Sequence, residues 1–218
     1  MARIPLVNGE HYHVYNRGVL QQPIFREQKD YLRFVHCLYW FNDVLRDRIS
    51  VNREIGSRKS GGSLVAILAW CLMPNHFHLF LRQTCEGGIS LFIQRLEIGF
   101  TMYMNKKYKR SGYLFQGKYQ AKLIEHDAHF LHISRYIHLN PLDLVEPGWG
   151  ERGIEDRHKA ERLLDEYRWS SYQDWLGQEH FSPIIDGKAV REMALGIGDY
   201  RTFVRDWISR DPISGHGV

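Results

Sequence analysis

Residues 64–82, LVAILAWCLMPNHFHLFLR, decide the fold. The first ten of these residues are almost continuously apolar, which is typical of a strand buried in the middle of a sheet. Pro74 and Asn75 interrupt the run, and residues 76–82 resume it as a second strand-like segment. Two strands joined by so short a turn predict an antiparallel hairpin.

Further segments on both sides of the hairpin carry strand or helix periodicity. They predict a strand at 11–15, a helix at 27–45, a helix at 90–108, a strand at 113–124 and a helix at 127–139. Ser90 is the expected N-cap of the second helix, and Pro141 forbids easy continuation of the third. The order predicts an α+β fold: a split βαβ arrangement with helices on one face of a largely antiparallel sheet.

The composition changes beyond residues 147–150, PGWG. Residues 151–168 are dense in mixed charge, and Trp169, Tyr172 and Trp175 then supply aromatic anchors. We therefore expect a main domain over residues 1–146 and a helical C-terminal extension over residues 147–218 that docks on it.

Composition bounds the class of protein. The 29 basic residues against 25 acidic ones give a net charge of +4, so the position of the cations matters more than their number. Three cysteines without metal-type spacing, and no secretory signal, favour a reduced cytoplasmic protein. The longest apolar run is about half of the ~20 residues that cross a bilayer, which predicts a soluble chain.

A histidine pair marks the second strand of the hairpin. Strand side chains alternate between faces, so His76 and His78 project to the same side of the sheet, where two imidazoles can chelate one cation. Two solvent-facing polar residues would give the same pattern. His11 and His13 repeat it in the first strand, and spacing alone leaves open which pair works.

The third helix supplies a possible nucleophile. Residues four apart share a helical face, so His132, Tyr136 and Asn140 form a row. Asn140 offers a carbonyl oxygen as a harder ligand for Mg²⁺ or Mn²⁺. A phenol with its ordinary pKa of about 10 needs a metal or base beside it, and a structural tyrosine remains the alternative.

A basic, aromatic window lies between residues 100 and 124, which contain no acidic residue. Cations that follow a backbone, with aromatic faces between them, are what single-stranded nucleic acid requires. A solvated helix end and ordinary core aromatics are the alternative explanation. The interleaved aromatics are Tyr103, Tyr108, Tyr113, Phe115 and Tyr119.

Taken in order, these segments resemble the single-tyrosine HUH transposases, in particular the REP-associated tyrosine transposases of bacteria. The matching pieces are HVYNRG, MPNHFHLFLR, GISLFIQRLEIGFTMYMNKKYKRSG, YLFQGKYQAKLI, RYIHLNP and YRWSSYQDWLG. They cover most of residues 12–177. The resemblance implies a ferredoxin-like fold and a transposase-like DNA endonuclease and strand transferase.

The resemblance also implies roles for individual residues. Tyr136 would attack single-stranded hairpin DNA of repetitive palindromic sequence, forming a 5′-phosphotyrosine link, and His76, His78 and Asn140 would hold Mg²⁺ or Mn²⁺. Many relatives carry glutamine where this chain has Asn140. The candidate DNA contacts are Asn16, Arg17, Lys106, Lys107, Arg110, Lys118 and Lys122.

Other functions share these features. A nickase of the relaxase or replication-initiator type would use the same chemistry, and a non-catalytic hairpin-binding regulator would keep the fold. An RNA-processing enzyme is a third alternative. No interface signature decides between a monomer and a homodimer.

Overall fold

The computed structural model describes residues 5–44, 62–125, 127–195 and 197–208. Four strands form one sheet in the order β2-β3-β1-β4, and every neighbouring pair is antiparallel. The strands are β1 (His11–Arg17), β2 (Val65–Met73), β3 (His76–Gln83) and β4 (Gln120–Ile124). The predicted α+β class and antiparallel sheet are confirmed.

The predicted hairpin is β2 and β3, joined by Pro74 and Asn75 with Met73 paired to His76. All nine residues of β2 are buried, as the continuous apolar run predicts. A register shift between Ile67 and Ala69 interrupts the pairing with β3.

Helices cover both faces of the sheet. Helices α1 (Gln28–Trp40) and α2 (Gly88–Lys107) bury Phe34 and Phe100 against one face. Helix α3 (Asp127–Leu139) packs on the opposite face through Ile133 and Ile137. The prediction of helices on one face therefore holds for the two helices inside the βαββαβ unit but not for α3, which follows the last strand.

Two helices have an end that differs from the predicted one. Helix α1 ends at Trp40 because the next turn sends Asn42 inward, where its side chain pairs with the backbone N–H and C=O of Val65; Leu45 lies outside the described residues. Helix α2 begins at Gly88 after a left-handed Gly87, so Ser90 is not its N-cap and hydrogen-bonds Tyr119 instead.

The fourth strand is shorter than predicted. Residues 113–119 form a loop that makes an isolated antiparallel bridge, between Phe115 and Gly18, with the segment that follows β1. Gly117 adopts a positive φ of 69°, which breaks the extended conformation before β4 begins at Gln120.

Short helices follow α3 along the chain: α4 (Trp149–Arg152), α5 (Arg157–Glu166), α6 (Tyr172–Trp175), α7 (Gly187–Ala194) and α8 (Tyr200–Ile208). This part of the chain covers the outer edge of β2. The Ser171 N–H donates to Trp70 O at 3.0 Å and the Trp175 indole donates to Leu68 O at 2.9 Å. The division after residue 146 stays a prediction. Among the described helices, none is long and apolar enough to cross a membrane.

Candidate active site

A cleft of about 620 Å³ opens between one end of β1 and β3 and the C-terminal end of α3. It lies on the α3 face of the sheet. Its walls combine imidazole, phenol, amide and basic side chains. The lining residues are Tyr15, Asn16, Arg17, Gln21, Asn75, His76, His78, Gln116, Lys118, Gln120, Tyr136, Asn140 and Asp143.

The two histidines of β3 both face this cleft, as their spacing predicts. Their ring centroids are 5.0 Å apart and their planes are nearly perpendicular. His76 uses Nδ1 in a 2.6 Å hydrogen bond with the Asn75 side-chain oxygen, and His78 uses Nδ1 in a 2.9 Å hydrogen bond with His13. On each ring Nε2 remains for another partner.

Burial keeps these imidazoles neutral. Desolvation lowers the pKa of His78 well below its ordinary value, and it lowers the pKa of His76 against the opposing field of Asp143. The pKa of His13 is lowered to about 3 by burial and by the charge of Lys122. A neutral imidazole has a free lone pair, which is the form that binds metal.

Tyr136 stands beside the same histidines. Its ring centroid lies 5.8 Å from that of His78 and 5.7 Å from that of His13, edge-on to both. The side chain is 40% exposed, so the phenol faces the cleft and not the apolar interior. Desolvation, and then the charge of Asp143, raise the pKa of Tyr136, so the protein alone does not activate this phenol.

Asn140 follows Tyr136 by one helical turn. Its amide nitrogen donates to the Tyr136 backbone carbonyl at 2.8 Å, which fixes the side chain and leaves its oxygen free to accept. The Asn140 side chain is also within hydrogen-bonding reach of His76. The helix therefore presents a phenol and an amide oxygen to the two imidazoles of the hairpin.

Helix α8 holds the other side of α3. His138 is buried between the hydroxyls of Tyr200 and Ser171, at 2.7 and 2.8 Å. Arg135 is 3% exposed, and its guanidinium lies 3.9 Å from the ring centroid of Trp207 and 4.3 Å from that of Phe203. His132 hydrogen-bonds Arg135 at 2.6 Å and so does not extend the row of Tyr136 and Asn140 into the cleft.

The donor set fits a divalent cation. Neutral imidazoles are borderline ligands and the amide oxygen is a harder one, and divalent cations accept both kinds. The described residues contain no group of three or more His, Cys, Asp or Glu side chains that could hold a metal ion. The amide of Asn140 is therefore needed to complete a three-ligand set.

Residues important for this cleft were missed from the sequence. The spacing left the part of His11 and His13 open, and the structure separates them: His13 hydrogen-bonds His78, whereas His11 lies against the rings of Phe130 and Phe80. Asp143 reaches the cleft because residues i and i+3 align in the 3-10 turn Asn140–Leu144. The Pro141 in that turn is the signal that could have revealed it.

The candidate DNA contacts separate into groups. Arg17 and Lys118 line the cleft, and Lys122 pairs in register with His13 on the same face. Lys106 is exposed on the last turn of α2, and Arg110 donates to the Tyr113 carbonyl at 2.9 Å. Neither Lys106 nor Arg110 lines the cleft.

Two candidates, Lys107 and Asn16, make contacts within the fold. Lys107 pairs with Glu27 and with the fully buried Asp30, between α1 and α2, so its charge is already neutralised. Asn16 is 5% exposed, and its amide donates to Glu97 at 2.7 Å and to Gly117 O at 3.3 Å. These contacts hold both side chains in the fold; Asn16 also lines the cleft, and contact of either residue with DNA stays a prediction.

A family model described as "Transposase IS200 like" matches residues 32–140, which is half of the chain and includes the hairpin, Tyr136 and Asn140. The chain belongs to the IS200-like transposase family. The class that follows is a transposase acting on DNA. Comparison of this IS200-like transposase with curated proteins gave no match.

A solved structure shares the fold. It is described as the structure of a REP-associated tyrosine transposase bound to a REP hairpin. The superposition has a TM-score of 0.54 at 15% identity and covers 83% of this chain and 87% of the other. At that identity the likeness establishes the common fold, including part of the region beyond residue 146.

Proposed function

We propose that this chain is a metal-dependent DNA endonuclease and strand transferase that cuts single-stranded, hairpin-containing DNA with Tyr136 as nucleophile. The observation that carries the proposal is the position of the Tyr136 ring, edge-on to His78 at 5.8 Å in the cleft that also contains His76 and Asn140. A tyrosine kept only for packing would bury its ring, whereas 40% of this one is exposed.

His76, His78 and Asn140 are the proposed metal ligands. When bound, Mg²⁺ or Mn²⁺ would polarise and orient the scissile phosphate. The protein's own part is to keep both imidazoles neutral by burial and to fix the Asn140 oxygen through its hydrogen bond to the Tyr136 carbonyl. Since the pKa of Tyr136 is raised, cleavage requires this added polarisation.

In the proposed reaction the Tyr136 oxygen attacks phosphorus as the bond from phosphorus to the 3′ oxygen breaks. The proton lost by the phenol is balanced by the proton gained at the 3′ oxygen. The products are a 5′-phosphotyrosine link and a free 3′-hydroxyl. Because the link conserves the phosphodiester energy, the 3′-hydroxyl of another strand can reverse the attack and join DNA without ATP.

The substrate is proposed to be a hairpin of repetitive palindromic sequence. The structural neighbour is described as bound to such a hairpin, and the basic side chains of Arg17 and Lys118 line the cleft of this chain. Phosphate groups that reach His76 and Tyr136 would pass these cations, whose attraction weakens as salt rises.

Two further features of the protein belong to the proposal. Residues 1–146 would form the catalytic domain, and residues 147–218 an extension that holds the nucleophile helix through α8. A cytoplasmic site of action, where DNA is present, agrees with three free cysteines, of which Cys37 and Cys71 are buried.

The test is to incubate the protein with Mn²⁺ and a labelled single-stranded hairpin and to look for an adduct that survives denaturation. We expect an adduct with the wild type and none with Tyr136→Phe, because phenylalanine lacks the attacking oxygen. Replacing His76 or His78 by Ala should also abolish cleavage, because each removes one of two imidazoles.

Tyr15 is the matched control, because its ring also lines the cleft and lies 5.8 Å from that of His78. Tyr15→Phe should retain the adduct, and peptide mapping of the wild-type adduct should place the nucleotide on Tyr136. An adduct on the Tyr136→Phe variant, or its loss in Tyr15→Phe alone, would assign the nucleophile elsewhere.

A further inference from the structure

The basic, aromatic window leaves one aromatic ring free at the surface. Tyr103 and Tyr108 donate to the buried Asp30, and Phe115 and Tyr119 are 6% and 9% exposed. Tyr113, in contrast, is 86% exposed. Of the five aromatics that the sequence offered for stacking, Tyr113 is therefore the one whose ring is available to a ligand.

A second exposed apolar side chain, Leu20, lies in the segment after β1, which is hydrogen-bonded to the loop that contains Tyr113. Leu20 is 80% exposed, and it lies three residues after Arg17, the cleft-lining end of β1. Three antiparallel backbone contacts join the two segments. They are Gln116 N–H to Arg17 O at 2.8 Å, the bridge between Gly18 and Phe115, and Val19 N–H to Leu114 O at 3.0 Å.

This pairing places the two side chains relative to the cleft. Arg17 and Gln116, at one end of the paired segments, both line the cleft. Leu20 and Tyr113 are the residues that adjoin the last hydrogen-bonded positions, Val19 and Leu114. The two exposed side chains therefore lie at the same end of the paired segments, beyond the cleft-lining Arg17 and Gln116.

The backbone that carries Leu20 is strained. Leu20 and Gln21 have φ values of 51° and 57°, the left-handed region that residues with a side chain seldom occupy. The turn is held by the Gly18 N–H on Asn75 O at 2.7 Å and the Asn75 amide on Gln21 O at 3.2 Å. A Cβ at Gly18 would meet Gln22 O at 2.1 Å, so glycine is required.

Strain that holds an apolar side chain in solvent opposes stability, and such outliers cluster where a ligand is clamped. We propose that Tyr113 and Leu20 form a subsite for one unpaired base of the DNA, next to the nucleotides in the cleft. Tyr113 stacks on the face of the base and Leu20 packs against the same base. Arg110 donates to the Tyr113 carbonyl and so helps to fix the loop that carries Tyr113. The inference rests on the proposed function and deepens it.

The test measures binding without cleavage. Hairpins with unpaired flanks carry 2-aminopurine at one flank position at a time, and they are titrated with protein in the absence of divalent metal. We expect fluorescence quenching at one position with the wild type, and its loss with Tyr113→Ala together with binding about 5- to 150-fold weaker, the range for losing one base–aromatic stack. Leu20→Ala should weaken binding less.

Matched variants isolate the stack. Tyr113→Phe keeps the ring and should bind within twofold of the wild type. Leu195→Ala removes an equally exposed leucine, 79% exposed on the surface after α7, and should change nothing. A blunt hairpin without unpaired flanks should bind wild type and Tyr113→Ala equally.

Binding by Tyr113→Ala within twofold of the wild type, quenching at no position, or an equal loss in Tyr113→Phe would each overturn the subsite. The proposed function is judged separately, by the Mn²⁺-dependent adduct of the wild-type protein. If the wild type forms the adduct but Tyr113→Ala binds DNA as tightly as the wild type, only the subsite is contradicted. If 2-aminopurine is quenched but no adduct forms, only the proposed nuclease activity is contradicted.

Discussion

Each face of the sheet carries a cluster of polar side chains, and the two clusters differ in how completely they are hydrogen-bonded. On the α1 and α2 face, the carboxylate of Asp30 is fully buried and receives hydrogen bonds from Lys107, Tyr103 and Tyr108, an arrangement we call the Asp30 cluster. On the α3 face, the histidine cluster of His13, His76 and His78 is also buried or nearly so, but its hydrogen-bonding capacity is incompletely used.

The difference separates structure from function. The Asp30 cluster has a donor for every direction from which its carboxylate can accept, so it has no capacity left for a ligand. In the histidine cluster, His76 and His78 each keep Nε2, and His13 Nδ1 is buried with no hydrogen-bond partner among the described atoms. Leaving a buried polar group unsatisfied costs stability, so the spare capacity of this cluster, whose His76 and His78 line the cleft, is consistent with a ligand there.

Breaking the Asp30 cluster should produce the largest change in stability. Asp30→Ala leaves two tyrosine hydroxyls without this acceptor and the Lys107 ammonium with Glu27 as its remaining carboxylate, so we expect the free energy of unfolding to fall by about 3 kcal/mol. This is the low end for a broken buried pair, because the Lys107 side chain is 26% exposed and reaches water. Urea unfolding followed by circular dichroism measures the change.

The double variant Asp30→Ala, Lys107→Met is the control. It removes both charges, so it should be more stable than Asp30→Ala alone. Adduct formation per folded molecule should stay at the wild-type level in both variants, because the cluster lies across the sheet from the cleft. A reduced adduct yield from the folded double variant, but not from folded Asp30→Ala, would return Lys107 to the DNA-binding residues.

The histidine cluster should respond in metal affinity. If His78 is to bind metal through Nε2, its Nδ1 carries the proton and donates to His13 Nε2. His13→Ala removes that acceptor, so we expect Mn²⁺ to bind about 10- to 100-fold more weakly, as when other outer-shell partners of a ligating histidine are lost. Calorimetric titration with Mn²⁺ measures the loss.

His11→Ala is the matched control, since it removes the other histidine of the same strand and should leave Mn²⁺ affinity within twofold. His13→Asn offers an amide oxygen at the same place and should restore part of the affinity. Equal loss in the His11 and His13 variants would mean that the strand, and not the hydrogen bond, had been disturbed.

The sequence predicts those parts of the molecule that depend on local periodicity. Alternation in β3 places His76 and His78 on one face, and the 3.6-residue repeat of α3 places Asn140 one turn from Tyr136. The histidine spacing lies inside one strand, and the Tyr136–Asn140 spacing is kept because the 3-10 turn that begins at Asn140 continues directly from α3. The helix bounds Asp127–Leu139 also agree, since Pro141 limits the helix as its fixed φ requires.

Contacts between distant elements were beyond that reasoning. In the sequence Lys107 looks like a free cation, because its partner Asp30, on α1, is 77 positions away in the chain. In the sequence His13 belongs to an alternative histidine pair with His11. Only the alignment of β1 beside β3 places His13 diagonally opposite His78, where the two rings hydrogen-bond. The face that α3 occupies was equally undetermined, because it depends on where the chain goes after the last strand.

The smallest expected effect is the acid dependence of the Asp30 cluster. Desolvation alone would raise the pKa of Asp30, but hydrogen bonds from Lys107, Tyr108, the Arg26 N–H and Tyr103 outweigh it, and the pKa is lowered below its ordinary 3.8. The stabilisation is therefore fully present above pH 3.8 and is lost as the pH falls through the folded-state pKa. Urea unfolding of wild type and Asp30→Asn from pH 5 to pH 2 should show their stability difference shrinking only below pH 4. A difference that already shrinks between pH 5 and pH 4 would mean that Asp30 titrates above its unfolded value, and that the cluster is not the saturated counterpart of the histidine site.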